Sequence, residues 1–136
     1  MRLIGRSVRW VMLVSGVLTA TMFYGAFSPE SIVESMFGVR PEVGVAFYGE
    51  LELMVVRSWS ALIGLVGVML VVGFINPKLR RYSLSIAAAS KLVFVTLSLL
   101  YAQAYWQTLA PALIMDSFVV LLALLYLCIP SASVDD

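Results

Sequence analysis

Four apolar stretches, each long enough to cross a bilayer, constrain this sequence more than any other feature. The hydrocarbon core is about 30 Å thick and an α-helix rises about 1.5 Å per residue, so about 20 apolar residues make a span. We predict spans at residues 10–27, 51–75, 84–106 and 112–129. Hydrophobic residues make up 62% of the chain, against roughly 45–50% in soluble domains. The sequence therefore predicts one all-α domain over residues 1–136, a four-helix transmembrane bundle.

Charges outside the spans predict the orientation of this bundle. Basic residues precede the first span and fill the short connection between the second and third: Arg2, Arg6, Arg9, Lys78, Arg80 and Arg81. The loop at residues 28–50 instead carries Glu30, Glu34, Glu42 and Glu50 against one basic residue, Arg40. Because short basic loops stay in the cytoplasm, we expect a multi-pass protein of the bacterial inner membrane with both termini cytoplasmic.

The acidic loop contains the pattern of a short helix. Ser28 is typical of a helix N-cap, Pro29 of the first helical position and Gly38 of a C-terminal stop. Between them, four apolar residues share one helical face: Ile32, Val33, Met36 and Phe37. We predict a short interfacial helix lying on the membrane, and the alternative is a lid over a cavity.

Composition excludes several function classes. The chain has no His, which removes the commonest metal ligand, and its single cysteine, Cys128, cannot form a disulfide within the chain. A net charge of +1 does not provide the basic surface of a nucleic-acid-binding protein. No phosphate-binding or dinucleotide-binding motif is present. We therefore predict no metal, no cofactor and no nucleic-acid partner.

Three charged residues lie well inside the predicted spans, where a charge is costly: Arg57, Lys91 and Asp116. Glu52 lies at the outer edge of the second span. Counted along the helices, Arg57 and Asp116 lie about 9 and 6 Å to the outer side of their span centres, and Lys91 about 5 Å to the cytoplasmic side. We therefore expect Arg57 to pair with Asp116 and Lys91 to be a surplus cation. Either the pair only fixes the helix register, or the charges form a pocket. The extra positive charge of such a pocket is then removed by a neutral Lys91, by Glu52 or by an anionic ligand.

The pocket hypothesis includes polar residues of the third span, since Lys91, Ser98 and Tyr105 repeat at intervals of seven. The candidate ligand-binding residues are then Arg57, Lys91, Asp116, Ser98, Tyr101, Tyr105 and Glu52. Small residues let membrane helices approach closely. On that ground we predict helix-packing positions at Gly16, Ser60, Gly64 and Gly67.

Three segments carry a family resemblance. They are the stretch 57–70 (Arg-Ser-Trp-Ser-Ala-Leu-Ile-Gly-Leu-Val-Gly-Val-Met-Leu), the run Ser90-Lys91-Leu92-Val93-Phe94, and Asp116. Together they resemble small four-helix bacterial membrane proteins that are broadly DoxX-like. Some DoxX-like proteins accompany quinone-linked electron transfer, so the resemblance implies a lipid-soluble partner. The chain itself has no His and no cysteine pair with which to perform redox chemistry.

Three functions are compatible with the sequence. The first is a non-catalytic membrane protein, either an accessory subunit or a binder of a lipid-like or quinone-like molecule through a polar seam in the outer half of the bundle. The second is a small transporter or channel gated by the Arg57–Asp116–Lys91 cluster. The third is an intramembrane lipid-modifying enzyme, which we disfavour because a carboxylate paired with Arg57 is a weak general base. The expected partner is membrane lipid, and the sequence leaves open a homo-oligomer or a larger membrane complex.

Overall fold

Six α-helices make up nearly all of the described chain. The structure is a computed structural model that describes residues 2–39 and 49–128, with side chains only from Ser7 onward in the first helix. In chain order the helices are α1 (Arg2–Ala20), α2 (Tyr24–Phe27), α3 (Pro29–Phe37), α4 (Glu50–Ile75), α5 (Pro77–Tyr101) and α6 (Trp106–Cys128). Some residues of the sequence analysis lie outside the described part of the chain. They are the side chains of Arg2 and Arg6, the charged residues Arg40 and Glu42, Ile129 of the fourth predicted span, and residues 130–136.

Four segments of the described chain are long and apolar enough to cross a membrane. They run over Ser7–Phe27, Glu50–Ile75, Pro77–Tyr101 and Gln103–Cys128. The first consists of α1 and α2 joined by a single 3₁₀ turn at Thr21–Phe23, and the other three are α4, α5 and α6, the last with a 3₁₀ turn before it. The prediction of an all-α, four-helix transmembrane bundle is confirmed, and the chain is a multi-pass membrane protein.

The boundaries of the third and fourth spans differ from the prediction. The third was predicted at 84–106 but runs from Pro77 to Tyr101. It begins early because the Asn76 side chain caps α5 by accepting from the backbone N–H of Lys78 at 3.1 Å. The fourth was predicted to begin at residue 112 but begins at Gln103, and Pro111 lies inside α6. The basic residues after Asn76 are therefore the first turns of a helix and not a connecting loop.

Arginines at this end of the bundle, which we call the Asn76 end, satisfy the carbonyls at two helix C-termini. Arg80 Nε donates to the Gly73 carbonyl of α4 at 3.3 Å, and Arg81 Nη2 donates to the Leu127 carbonyl of α6 at 2.8 Å. The last carbonyls of a helix have no partner within it and carry the negative end of its dipole. The basic cluster therefore stabilises the ends of two helices as well as marking one side of the membrane.

Helices α1 and α4 approach closely along a line of small residues. The buried face of α4 contains Ser60, Gly64 and Gly67. A Cβ atom on Gly67 would lie 2.7 Å from the Gly16 carbonyl oxygen and 2.8 Å from the Cα atom of Ala20, so the two backbones touch there. A Cβ on Gly64 would meet the Phe23 ring, and Ser60 packs against Gly25. The four predicted helix-packing residues thus lie at helix contacts. Small residues at such contacts let the backbones approach closely and increase van der Waals contact between the helices.

The bundle is apolar and closed in its half near the Asn76 end. All four spans contribute to one core cluster, formed by Val8, Met12, Leu70, Leu84, Ala87, Ala88, Ala123 and Tyr126. Around the bundle, α4 packs along both α1 and α5, and α5 packs along α6, whereas the contact between α6 and α1 is smaller.

The predicted short helix is present as α3 and lies against the opposite end of the bundle, which we call the α3 end. Pro29, Ile32 and Val33 are buried, and α3 contacts both α4 and α6. Gly38 ends the helix at φ 68°, a left-handed conformation that favours glycine. Helix α3 therefore packs onto the bundle instead of only resting on the membrane.

We expect the Gly67→Ala variant to unfold more readily than the wild type, by about 1–3 kcal/mol, because the added methyl group meets backbone atoms that no rotamer change can move. The control is Val68→Ile, which adds one methylene to a residue that is 42% exposed on the outer face of α4. The free energy of unfolding in detergent micelles measures both. Equal losses for the two variants would contradict the close approach of α1 and α4.

Candidate functional site

A buried ion pair between Lys91 and Asp116 lies in the interior of the bundle. Lys91 Nζ contacts Asp116 Oδ1, and the two side chains are 6% and 11% exposed. Lys91 Nζ also donates to Thr19 Oγ1 at 3.2 Å. Because an unpaired charge is far more costly to bury than a paired one, this contact explains how both residues are tolerated inside a span. The pair and the threonine connect α1, α5 and α6.

The α5–α6 hairpin sets the two charged residues at the same depth. Lys91 lies ten residues before the end of α5 at Tyr101, and Asp116 lies ten residues after the start of α6 at Trp106. At 1.5 Å per residue, each is about 15 Å from the turn. The predicted third span ended five residues too late, and this displaced Lys91 from Asp116 along the membrane normal in the sequence analysis.

The predicted Arg57–Asp116 pair is wrong. Arg57 is exposed, and its Nη1 donates to the Ala26 carbonyl oxygen at 2.8 Å. Ala26 lies in α2, whose last carbonyls lack helical partners, and a long arginine side chain readily turns toward the nearer membrane surface. Because Arg57 is exposed, Lys91 and Asp116 are the two buried charged residues of the part of the chain that the structure describes, and they balance each other. The surplus cation expected from the sequence is not found among these residues.

A cavity of about 230 Å³ lies between the ion pair and the α3 end. Every span and α3 contribute to its lining, and most of the lining side chains are apolar: Leu18, Met22, Met36, Ile63, Val66, Phe94, Ala112 and Met115. Its polar lining residues are Thr19, Ser90, Lys91 and Asp116. Since Met36 belongs to α3, this helix covers the cavity, as the alternative of a lid supposed.

The other predicted ligand-binding residues lie outside the lining of this cavity. Ser98 is buried but does not line it, and Tyr101 is 80% exposed. Tyr105 belongs to the turn after α5, and Glu52 is exposed in the first turn of α4. Residues at intervals of seven share a face only where the helix is continuous. Because α5 ends at Tyr101, Tyr105 does not share the face of Lys91. Of the seven predicted ligand-binding residues, only Lys91 and Asp116 line the cavity.

Several lining residues were missed in the sequence analysis, although some left a signal there. Ser90 and Phe94 flank Lys91 in the run that carries the family resemblance. Thr19 lies three residues after Gly16, on the side of α1 that packs inward. Met36 belongs to the apolar face of the predicted short helix. By contrast, nothing local distinguishes Met22 or Met115 from a lipid-facing residue.

An aromatic contact holds α3 over the cavity. The ring of Phe37, next to Met36, lies 6.4 Å from that of Trp59 and 5.4 Å from that of Tyr105, the second in an edge-on arrangement. Such pairs contribute about 0.5–1.5 kcal/mol beyond burial of their area. Tyr105 therefore acts on the cover of the cavity and not on its interior.

The polar groups of the cavity can hydrogen-bond to a guest molecule. A lysine ammonium has three N–H donors, and Lys91 directs two of them at Asp116 and Thr19, which leaves one for a further acceptor. The Ser90 hydroxyl is a second donor in the lining. No group of three metal-binding side chains occurs among the residues that the structure describes. The arrangement suits a molecule that is mostly apolar and carries an acceptor.

Comparison with known proteins adds no assignment to this geometry. The chain matches no protein-family model, no curated protein and no solved structure. The DoxX-like resemblance stays a prediction from three sequence segments. The features that bear on function are therefore the residues of the site itself, above all the ion pair and the cavity beside it.

We expect Lys91→Met and Asp116→Leu each to destabilise the protein by about 3–5 kcal/mol, because each leaves the opposite charge buried and unpaired. The double variant should recover most of this loss, because an apolar pair replaces the ion pair. Arg57→Met should have a small effect, since Arg57 is exposed. Free energies of unfolding provide the double-mutant cycle. If Arg57→Met lowered the free energy of unfolding as much as Lys91→Met does, the result would support the Arg57–Asp116 pair predicted from the sequence.

Proposed function

We propose that the protein is a non-catalytic protein of the bacterial inner membrane that binds a lipid-like or quinone-like molecule in the cavity between the ion pair and α3. The observation that carries this proposal is the combination of apolar walls with hydrogen-bonding groups at one end only. Ligand sites typically have this composition, with a few polar groups fixing the orientation of an apolar molecule.

The size of the cavity supports a ring-sized apolar head. An apolar cavity of about 150 Å³ is large enough to bind benzene, and this cavity measures about 230 Å³. A substituted ring or a short stretch of alkyl chain therefore fits inside it. A longer tail would extend beyond the cavity into the surrounding hydrocarbon.

Two observations favour binding over the alternative functions. The apolar core cluster fills the bundle between the ion pair and the Asn76 end, so a channel or transporter would have to separate those packed side chains. Lys91 and Asp116 contact each other, whereas an acid–base catalyst would hold its two groups ready for a substrate. The transporter remains the alternative function, with Lys91 and Asp116 in place of the predicted three-residue cluster.

We expect the wild-type protein to retain an amphiphile during gentle extraction and the double variant Lys91→Met/Asp116→Leu to lose it. A hydrogen bond to a charged group contributes about 1.5–3 kcal/mol, which corresponds to a loss of about 10- to 150-fold in affinity. Native mass spectrometry reports the bound mass and the protein stoichiometry together. Arg57→Met is the matched control and should retain the amphiphile.

Wild-type protein that carries no bound molecule under any extraction condition would contradict the proposal. So would a double variant that is folded and retains the same molecule at the wild-type level.

The proposed orientation has the Asn76 end in the cytoplasm. Four spans put the first and last described residues on the same side of the membrane. Arg9, Lys78, Arg80 and Arg81 all belong to this end, in the first turns of α5 or near the start of the first span. Positively charged residues near the ends of spans favour the cytoplasmic side. Both termini would then be cytoplasmic, and α3 would face the periplasm.

We expect an impermeant maleimide added to cells with a permeable outer membrane to label Ser31→Cys and not Lys78→Cys, each in a Cys128→Ser background. Both positions are exposed, at opposite ends of the bundle. Labelling of both variants after lysis serves as the control for reactivity. The reverse pattern in intact cells would invert the orientation.

A further inference from the structure

The cavity is covered at both ends of the bundle but not on every side. Met36 of α3 covers it at one end, and the apolar core cluster fills the bundle at the other. Around the circumference of the bundle, the contact between α1 and α6 is smaller than the contacts between the other neighbouring spans. The core residues that these two helices contribute, Val8 and Met12 from α1 and Ala123 and Tyr126 from α6, all belong to the half near the Asn76 end.

Leu18 lies at the boundary between the cavity and the surrounding lipid. It lines the cavity, yet it is 49% exposed on the outside of α1. Its neighbours Val14 and Val17 are exposed apolar residues as well, so this side of α1 lies against hydrocarbon in a membrane. Among the described residues, Leu18 is the one that both lines the cavity and counts as exposed. It therefore separates the cavity from the lipid phase.

The charge balance of the site restricts the head of the ligand. Lys91 and Asp116 neutralise each other, so neither a cation nor an anion finds an uncompensated partner there. A charged head would have to give up its hydration and compete with one member of the pair, which is unfavourable in an apolar cavity. An uncharged head with an acceptor atom does not have to lose a charged hydration shell or compete for the ion pair. It can accept a hydrogen bond from the remaining N–H of Lys91 or from the hydroxyl of Ser90.

We infer that the ligand is an uncharged amphiphile with a hydrogen-bond acceptor in its head, and that it enters the cavity from the hydrocarbon phase between α1 and α6, past Leu18. This inference rests on the proposed binding function and adds to it the chemical class of the ligand and its route. A molecule dissolved in the membrane reaches the cavity at the depth of Leu18, without crossing α3 or the apolar core. Its tail stays in lipid while its head reaches Lys91.

The first part of the test compares four probes of equal chain length: a methyl ketone, an alkyl sulfonate, an alkyltrimethylammonium ion and the plain alkane. Radiolabelled probes are bound to the protein in nanodiscs, with empty nanodiscs correcting for partition into lipid. We expect the ketone to bind at least tenfold more tightly than each of the others. The double variant Lys91→Met/Asp116→Leu should bind ketone and alkane alike, and Arg57→Met should behave as the wild type.

The second part tests the route with Leu18→Trp, which places a larger side chain on it. We expect both the association and the dissociation rate of the ketone to fall at least tenfold, with a smaller change in Kd. Val17→Trp is the matched control, since Val17 is 51% exposed and does not line the cavity. If Leu18→Trp does not fold, Leu18→Phe gives the same comparison with a smaller obstruction.

The outcomes separate this inference from the proposed function. Tighter binding of the sulfonate or the ammonium ion, lost in the double variant, would overturn the uncharged head and leave the binding site intact. Equal rates for the Leu18 and Val17 variants would overturn the route. If no probe binds and no amphiphile co-purifies with the wild type, the proposed function itself fails.

Discussion

The buried ion pair of Lys91 and Asp116 is the interaction on which the rest of the structure depends. It fixes the depth and the facing of α5 against α6, and through Thr19 it reaches α1. A hydrocarbon environment strongly favours this arrangement, because either charge without the other would destabilise the fold by about 3–5 kcal/mol. Once the pair is formed, the rotation of two spans is determined, and with it the set of side chains that face the interior.

Two halves of the bundle follow from the position of this pair. Toward the Asn76 end, apolar side chains from all four spans fill the interior completely enough to bury Leu70 and Ala87. Toward the α3 end, the helices leave a cavity that α3 covers, with Phe37 anchored between Trp59 and Tyr105. The ion pair lies at the boundary, where it offers hydrogen bonds to a molecule in the cavity. A bundle that is filled in one half and contains a covered cavity in the other suits a binding protein better than a pore.

Several other basic residues follow a common rule that explains where they lie. Arg57, Arg80 and Arg81 each donate to a backbone carbonyl at or near a helix C-terminus. Such carbonyls are acceptors without helical partners, and a guanidinium group can reach them from a distance. This competition explains why Arg57 does not join Asp116. Two charged residues can lie at the same depth in the membrane and still not pair. For Arg57, the Ala26 carbonyl oxygen is the acceptor that it contacts.

The sequence by itself determined the features that depend on local composition. Hydropathy was sufficient for the number of spans, and Ser28, Pro29 and Gly38 were sufficient for α3. Small residues such as Gly67 marked positions of close helix packing, but not which helix lies opposite. Only the tertiary structure decided which charges pair, because pairing depends on where the α5–α6 turn falls and on how far each side chain reaches. It also decided that the cavity is lined by Met36, Leu18 and Thr19, since a cavity exists only between helices. Hydropathy is summed along one helix, whereas a side-chain contact depends on how two helices are rotated relative to each other. That rotation is set by contacts between helices, the ion pair among them, which no single segment encodes.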